Sequence, residues 1–395
     1  METYIEVLKS FSLRDLLAVV ALLSSLSILY TGVYRLFFHP LARFSGPLPA
    51  KLTSFYMIWH SFLGRGTYIR YHLHQQYGKV VRTGPNELSF ADLASISDIY
   101  TRTTLACEKS PFYTCFNLTG SSSVFSTTDR ATHARMRRVL SRGFSERGIS
   151  RYQDKIINPV TAFLGIIQSS EQPIDLYPIT HKLFEDIMSS ISFDKSFNRL
   201  SGETCSGADD ITLHFKTCPL FGAFSAAKYL PFGIFERAKK ARSRTEEWVQ
   251  SCIDDLKMRI RRDDISFSLL RCLVEALNKD GTPLLSNEEQ IENAVIFIAA
   301  GSETSASTLL YLLYEVAKRP SIHRRLEEEI RNAFPLGRGL PDIETAIHLV
   351  GTPFMMAHHT QLLTDNSLIL IVSSRKSSVS GDHSRSSRRE SRPAR

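Results

Sequence analysis

No cysteine follows Cys272, no Cys-x-x-Cys pair occurs, and none of the six cysteines (Cys107, Cys115, Cys205, Cys218, Cys252 and Cys272) has a companion histidine at zinc-finger spacing. Neither a structural zinc site nor a dithiol motif is indicated. Sparse, irregular thiols in a chain of 395 residues suit a reducing compartment, where buried free cysteines are ordinary. No internal repeat is visible. A uniformly basic face is also missing. The formal charge is +8, but Arg375 to Arg395 holds seven Lys/Arg against two Asp/Glu, so five of the eight charges sit there. The body in front is close to balanced, and no nucleic-acid partner is expected. What is present, 43% hydrophobic and 22% charged residues, is globular in make-up and suits one large domain or two to three small ones.

Charge is absent again from Leu16 to Tyr34, 19 residues dominated by Leu, Val, Ala and Ile. That is long enough to cross a bilayer as a helix. It exceeds the usual signal-peptide core, and no small-x-small cleavage site precedes Arg35. Three prolines and a glycine in Phe38 to Pro49 then stop the helix and make a stiff spacer. Residues 1–35 are expected to be a single-pass anchor in the endoplasmic reticulum membrane, with the body cytosolic. The sequon Asn117-Leu118-Thr119 would then stay unglycosylated.

Val80 to Phe90, two β-favouring runs around Gly84-Pro85-Asn86, predicts a hairpin. The rest is helical in pattern, with amphipathic segments near Asp129–Phe144, Asn158–Ser169, Leu183–Ser192, Phe235–Arg261 and Phe267–Asn278. Ser286-Asn287-Glu288-Glu289 is a capping box, and Pro320 ends the helix it opens. A helix over residues 287–318 would be about 48 Å long. Its middle, Ala294 to Gly301, is apolar all round and predicts burial. Ser302-Glu303-Thr304-Ser305 follows directly, an acid and hydroxyls where a core helix should have neither. Small residues at Ala300 and Gly301 let another group approach the backbone, and Thr304 can bond a carbonyl one turn back. The combination reads as a place where protons reach something bound against the helix.

Ala300-Gly301-Ser302-Glu303-Thr304-Ser305 resembles the oxygen-activating motif of cytochrome P-450 enzymes, Ala/Gly-Gly-x-Asp/Glu-Thr-Thr/Ser. His133-Ala134-Arg135-Met136-Arg137 resembles the family helix whose His-x-x-x-Arg ends hold a heme propionate. One helical turn puts His133 and Arg137 on one face, although a His and several Arg on a helix more often form a solvated face. The hairpin, the run Phe184 to Phe197 and the proline spacer resemble microsomal, filamentous-fungal members, and the likeness covers about Leu36 to Leu349.

The resemblance implies a mainly α fold with a small β component behind an N-terminal transmembrane helix, incomplete at the C-terminus. It implies heme b, with His133, Arg137, Ala300 and Gly301 against it. Thr304 would hold oxygen and Glu303 would relay protons. It also implies a membrane setting, electrons from an NADPH-cytochrome reductase and an apolar small-molecule substrate, with secondary metabolism as the leading setting. The family's Glu-x-x-Arg and its loop Phe-x-x-Gly-x-x-x-Cys-x-Gly are not in their expected places. Glu328-Glu329-Ile330-Arg331 matches the first by letters but reads as an ordinary charged helix face. The family sequence stops near Val350, as an intron, a frameshift or a truncation would make it. Residues 36–349 are therefore expected to be a partial P-450 domain. Residues 350–395 should be a disordered tail, Ser/Arg-rich at its end. A chain without the cysteine loop is expected to be inactive. The alternative is a non-catalytic, membrane-tethered helical protein that binds an apolar ligand or a partner. A weaker reading makes the Ser/Arg tail a patch for nucleic acid or anionic lipid.

Overall fold

The apolar run at the front folds as α1 (Leu13–Val33), none of whose residues is buried, and continues into a π-helical turn, Tyr34–Phe38. The computed structural model describes residues 13–101, 107–223, 233–333 and 370–373. The chain divides into two units, residues 1–107 with 361–395 and residues 108–360.

In the first unit, α1 is followed by α2 (Leu48–Leu52), α3 (Phe55–Phe62) and α4 (Gly66–Tyr77). The expected hairpin forms from β1 (Val80–Gly84) and β2 (Glu87–Phe90), antiparallel with Val80 opposite Phe90. A third strand, β3 (Leu370–Ser373), pairs antiparallel with β2 and sets Leu370 opposite Phe90. Those four residues are the described part of the segment 350–395. Met57, Leu73 and Val81 make the unit's small core.

The spacer after α1 is held by Arg82, which is fully buried in β1. Its guanidinium donates to the carbonyls of Arg35 (2.9 Å) and Pro85 (2.8 Å), and its backbone N–H donates to Ser45 O at 2.7 Å. Burying a guanidinium is costly unless its donors find acceptors; the turning backbone supplies them for Nη1 and Nη2, while Nε is buried without a partner among the described residues. Gly46 is required at this crossing, because a Cβ there would stand 2.3 Å from the Arg82 carbonyl oxygen.

The second unit is helical: α5 (Arg130–Leu140), α6 (Gln153–Ser169), α7 (Leu176–Phe193), α8 (Ser206–Ala223), α9 (Gly233–Arg261), α10 (Leu269–Val274), α11 (Asn287–Lys318) and α12 (Pro320–Ala333). Side chains cap the starts as the physics of unpaired N–H groups requires. Asp129 accepts from Thr132 N at 2.7 Å, and Asp175 accepts from Tyr177 N at 3.0 Å. α6 and α7 start five and seven residues ahead of the expected segments, and α8 was not among them. α6 begins ahead of Pro159, and α8 carries Pro219 inside it. Proline weakens a helix interior locally, but burial of residues such as Phe163 in α6 and Ile211 in α8 outweighs that loss. The core gathers on the first half of α11, where Ala294 through Ile298 are all buried against Met136, Leu140, Phe193, Val249, Ile253 and Leu273 among others. The sequence predicted burial over Ala294 to Gly301; full burial ends at Ile298, and Ala300 is exposed. α12 carries Glu328 and Arg331, and Arg331 pairs with Glu327 in an exposed i,i+4 contact. The family-like stretch Leu340 to Leu349 lies outside the described residues.

Candidate functional site: the central helix and its attachments

The capping box forms. Ser286 Oγ accepts from Glu289 N (3.2 Å) and Glu289 Oε2 accepts from Ser286 N (3.0 Å). Glu289 also receives the Arg135 guanidinium in a two-point contact, with Nη1 at 3.0 Å and Nη2 at 2.5 Å, while Arg135 Nη1 donates to Leu284 O at 2.7 Å. Burial alone would raise the Glu289 carboxyl, but Arg135 and the Ser286 N–H hold it below the ordinary carboxylate range. Arg135 therefore ties α5 to the start of α11. The buried Met136, Val139 and Leu140 fix the rotation of α5.

One turn further along α11, Glu292 is buried, and its Oε1 accepts from the backbone N–H groups of Leu118 (2.7 Å) and Thr119 and from the Thr119 hydroxyl (2.8 Å). Burial pushes its carboxyl up, against these donors and the Arg242 charge. Asn293 Oδ1 accepts from Val124 N at 3.0 Å. Together they fasten the 118–124 loop to the helix. The last two residues of the sequon, Leu118 and Thr119, lie in this loop. Thr119 donates its hydroxyl to Glu292, and Leu118 is buried.

The motif residues divide between two faces. Gly301 and Ser302 turn toward α7: a Cβ on Gly301 would stand 2.4 Å from Met188 Sδ, and the buried Ser302 donates to Ile298 O at 2.7 Å. The small-residue notch is therefore filled by Met188. Ala300, Thr304 and Thr308 form an exposed stripe at one-turn spacing. Thr304 Oγ1 donates to Ala300 O at 2.5 Å, the bond one turn back that the sequence suggested. Glu303 lies beside this stripe, half exposed, with Oε2 3.4 Å from His181 Nε2.

His133 and Arg137 lie on the outer side of α5, the first half-buried and the second exposed. Neither side chain makes a hydrogen bond or ion pair to protein among the described residues. Burial, Lys109 and Arg137 all push the His133 imidazole below its ordinary value, so two cations crowd it with no anion to balance them. That arrangement fits a bound carboxylate, and a heme propionate is one.

The thiols are placed differently. Burial pushes Cys115 and Cys252 up to about 11 and Cys218 to about 12, and raises Cys205 and Cys272 as well. None of these five is activated as a nucleophile by its surroundings. Cys115 and Cys218 line a cavity of about 490 Å³ with Phe112, Phe221, His214 and Arg242. Cys218 Sγ lies 3.3 Å from His214 Nε2. Burial lowers His214 to about 4, so this thiol and imidazole are both neutral and the contact is packing rather than a nucleophilic pair.

His214 should leave a mark on acid stability. A base whose pKa falls from 6.5 to about 4 on folding stabilises the fold fully above pH 6.5, and that contribution drains away as pH drops toward 4. Its size is on the order of 3 kcal/mol. Glu292, raised on folding, works in the opposite sense as pH falls. His214→Gln is expected to flatten the loss of denaturant resistance between pH 6.5 and 4. An unchanged profile would place the acid sensitivity elsewhere.

Known proteins bear on this arrangement. The cytochrome P-450 family model matches residues 49–349, and the chain belongs to that family. Among similar curated proteins, the cytochrome P-450 monooxygenase ATR14 of Stachybotrys chlorohalonatus is 29% identical over 83% of this chain and 76% of its own length. The tryprostatin B 6-hydroxylase of Neosartorya fischeri is 28% identical over 75% of this chain and 54% of its own length. The cytochrome P-450 monooxygenase astD of Aspergillus oryzae is 30% identical over 76% and 60% respectively. The chain thus spans between about half and three quarters of these relatives. The crystal structure of the cytochrome P-450DA heme domain shares the fold, with a TM-score of 0.58 and 17% identity over 71% of this chain and 62% of that one.

Sequence reasoning singled out Glu303, Thr304, His133, Arg137, Ala300 and Gly301. It passed over Arg135, His181, Met188, Glu292 and Asn293. Arg135 and Glu292 looked like members of ordinary charged runs, and only their long-range partners set them apart.

Proposed function

We propose that this chain belongs to a membrane-anchored monooxygenase that inserts one atom of dioxygen into an apolar small molecule, within fungal secondary metabolism. The observation that carries the reading is the open Ala300, Thr304 and Thr308 stripe with Glu303 beside it, starting just past the stretch Gln290 to Ile298 that is buried in the core. A heme held by a cysteine thiolate supplies, when bound, the oxygen-activating chemistry. His133 and Arg137 would hold a propionate, drawing on the unbalanced positive charge around them. Ala300 keeps the helix surface low, and Gly301 brings Met188 and α7 close behind it. Thr304 holds a proton on Oγ1, now donated to the Ala300 carbonyl and free to turn outward. Glu303 is exposed enough to take protons from water and pass them along. Electrons would come from an NADPH-cytochrome reductase, and α1 would keep the body at the endoplasmic reticulum surface. The cavity beside Phe112 and Phe221 is where an apolar substrate would enter. Phe232, which belongs to the same aromatic set in sequence, lies outside the described residues.

The second reading is a tethered ligand-binding protein without iron, whose ligand would occupy the cavity beside Phe112 and Phe221. Activity separates the two. In a chain carrying the family's cysteine loop, Thr304→Ala should raise the ratio of oxygen consumed to product formed by roughly tenfold or more, because proton delivery is lost while electron supply is not. Glu303→Gln should slow product formation in the same assay. Full coupling in both variants would remove this helix from the chemistry.

A further inference from the structure

Behind α5 the chain makes a tight turn rich in arginine. Ser145 caps the helical turn Glu146–Ser150, accepting from Gly148 N at 3.1 Å and donating to Arg142 O at 2.8 Å. The turn is pressed onto α10 without clearance, since a Cβ on Gly143 would stand 2.5 Å from Leu269 Cδ1. Between this turn and α10 opens a cavity of about 420 Å³, and its wall holds Arg142, Arg147, Arg151 and Arg271 against a single acid, Glu275.

Arg271 is already committed. Its Nε pairs with Glu275 at 2.9 Å and its Nη1 donates to Ile265 O at 3.1 Å. The guanidinium groups of Arg142, Arg147 and Arg151 make no hydrogen bond or ion pair to protein among the described residues. Arg151 is nonetheless fixed in place. Its guanidinium lies 3.8 Å over the Phe267 ring, and Phe267 stacks on the buried Tyr152 at 5.3 Å. Stacking uses the face of a guanidinium and leaves its edge N–H groups free to donate. Burial and Glu275 raise the Cys272 thiol in the same wall while Arg142 and Arg151 lower it, so the positive field of the turn reaches the cavity.

The charge indicates what the cavity would hold. Four arginines less one glutamate leave the wall with a formal charge of +3. One phosphate group carries about −1.5 to −2 at pH 7, so a ligand with two of them matches the wall and a ligand with one does not. Forked arginine donors suit phosphate oxygens, which accept two N–H groups side by side. We propose that the cavity between residues 142–151 and α10 binds a ligand carrying two phosphate groups, with Arg142, Arg147 and Arg151 donating to them and Phe267 holding Arg151 ready. Bound there, the ligand would clamp the turn that follows α5 onto α10. A soluble diphosphate and a bisphosphorylated lipid headgroup share this chemistry. The site requires neither heme nor activity, so its test is independent of the proposed reaction.

Cys272 lines the cavity and Cys205 does not, which gives a local readout. The full 395-residue chain, in neutral detergent with EDTA, is treated with iodoacetamide at rising inorganic pyrophosphate, and alkylation of each cysteine is read by peptide mass. Saturating pyrophosphate should slow alkylation of Cys272 by roughly fivefold or more and leave Cys205 unchanged. Arg147→Gln with Arg151→Gln should raise the pyrophosphate needed for protection by about tenfold or more. Arg237→Gln with Lys240→Gln removes the same charge from exposed positions of α9 and should leave protection as it was. Arg147→Lys with Arg151→Lys keeps the charge, gives up the forked donors and guards against a folding defect; its protection should fall between the native chain and the glutamine pair. No protection of Cys272 in the native chain at millimolar pyrophosphate overturns the site. Equal weakening by the arginine pair and the α9 pair shows only a general attraction for anions and overturns it too. Vesicles identify the source. Protection of Cys272 by phosphatidylinositol bisphosphate supports the site with a lipid ligand, and protection by pyrophosphate but not by that lipid supports it with a soluble one. Phosphatidylserine protecting as well as the bisphosphate at equal charge would count against it.

Discussion

Reduced under carbon monoxide in microsomal membranes, the 395-residue chain is expected to show no thiolate-type Soret band, and the same chain extended through a Phe-x-x-Gly-x-x-x-Cys-x-Gly loop is expected to show one. The reason is which sulfur can serve: iron of this kind needs a thiolate, which the family takes from the cysteine of that loop, whereas Cys218 and Cys252 are packed among other side chains in the second unit. Cys218 is buried within a cavity wall, against His214. His133 and Arg137 can still grip a carboxylate, but such a grip does not set the electronics of the metal. A thiolate-type band from the 395-residue chain would mean that one of the six cysteines is the ligand. No band from the extended chain would overturn the monooxygenase reading itself.

The largest stability effect is expected at Glu292. Its Oε1 collects two backbone N–H groups and one hydroxyl from Leu118 and Thr119, all in a buried setting. Glu292→Ala strands these donors without an acceptor, at about 3 kcal/mol or more. Glu292→Gln keeps an acceptor oxygen and should lose less than half of that. Urea midpoints for the two variants decide it, together with protease nicking of the 111–125 stretch, which should appear in the alanine variant first. Equal, small effects in both would show that the loop is held by Asn293 and its apolar contacts instead. Because Phe112 and Cys115 line the cavity, loosening of this loop should also change the cavity's shape.

The separation between what was legible and what was not follows the range of the interactions. The exposed apolar helix α1, the capping box at Ser286, the burial of Ala294 to Ile298, the hairpin at Val80 to Phe90 and the Thr304 back-bond all come from residues close to one another in the chain. Local spacing, side-chain length and solvent preference determine them, so the sequence by itself was sufficient. The remaining features depend on partners more than a hundred residues away. Nothing local distinguishes Arg135 from Arg137 and Arg138, yet Arg135 alone of the three meets Glu289, because the burial of Met136, Val139 and Leu140 sets which way the helix faces. Gly301 read as a space for a bound group, and packing of α7 gives that space to Met188. Glu292 sits one residue from the apolar stretch with no local sign that loop N–H groups will make its burial tolerable. Pro159 and Pro219 lie inside helices because tertiary burial of the same segments exceeds the local loss. Short-range geometry is written in the chain; which charged or small residue is chosen among similar neighbours is decided only when the helices pack, since that choice is a matter of facing and distance rather than of residue type.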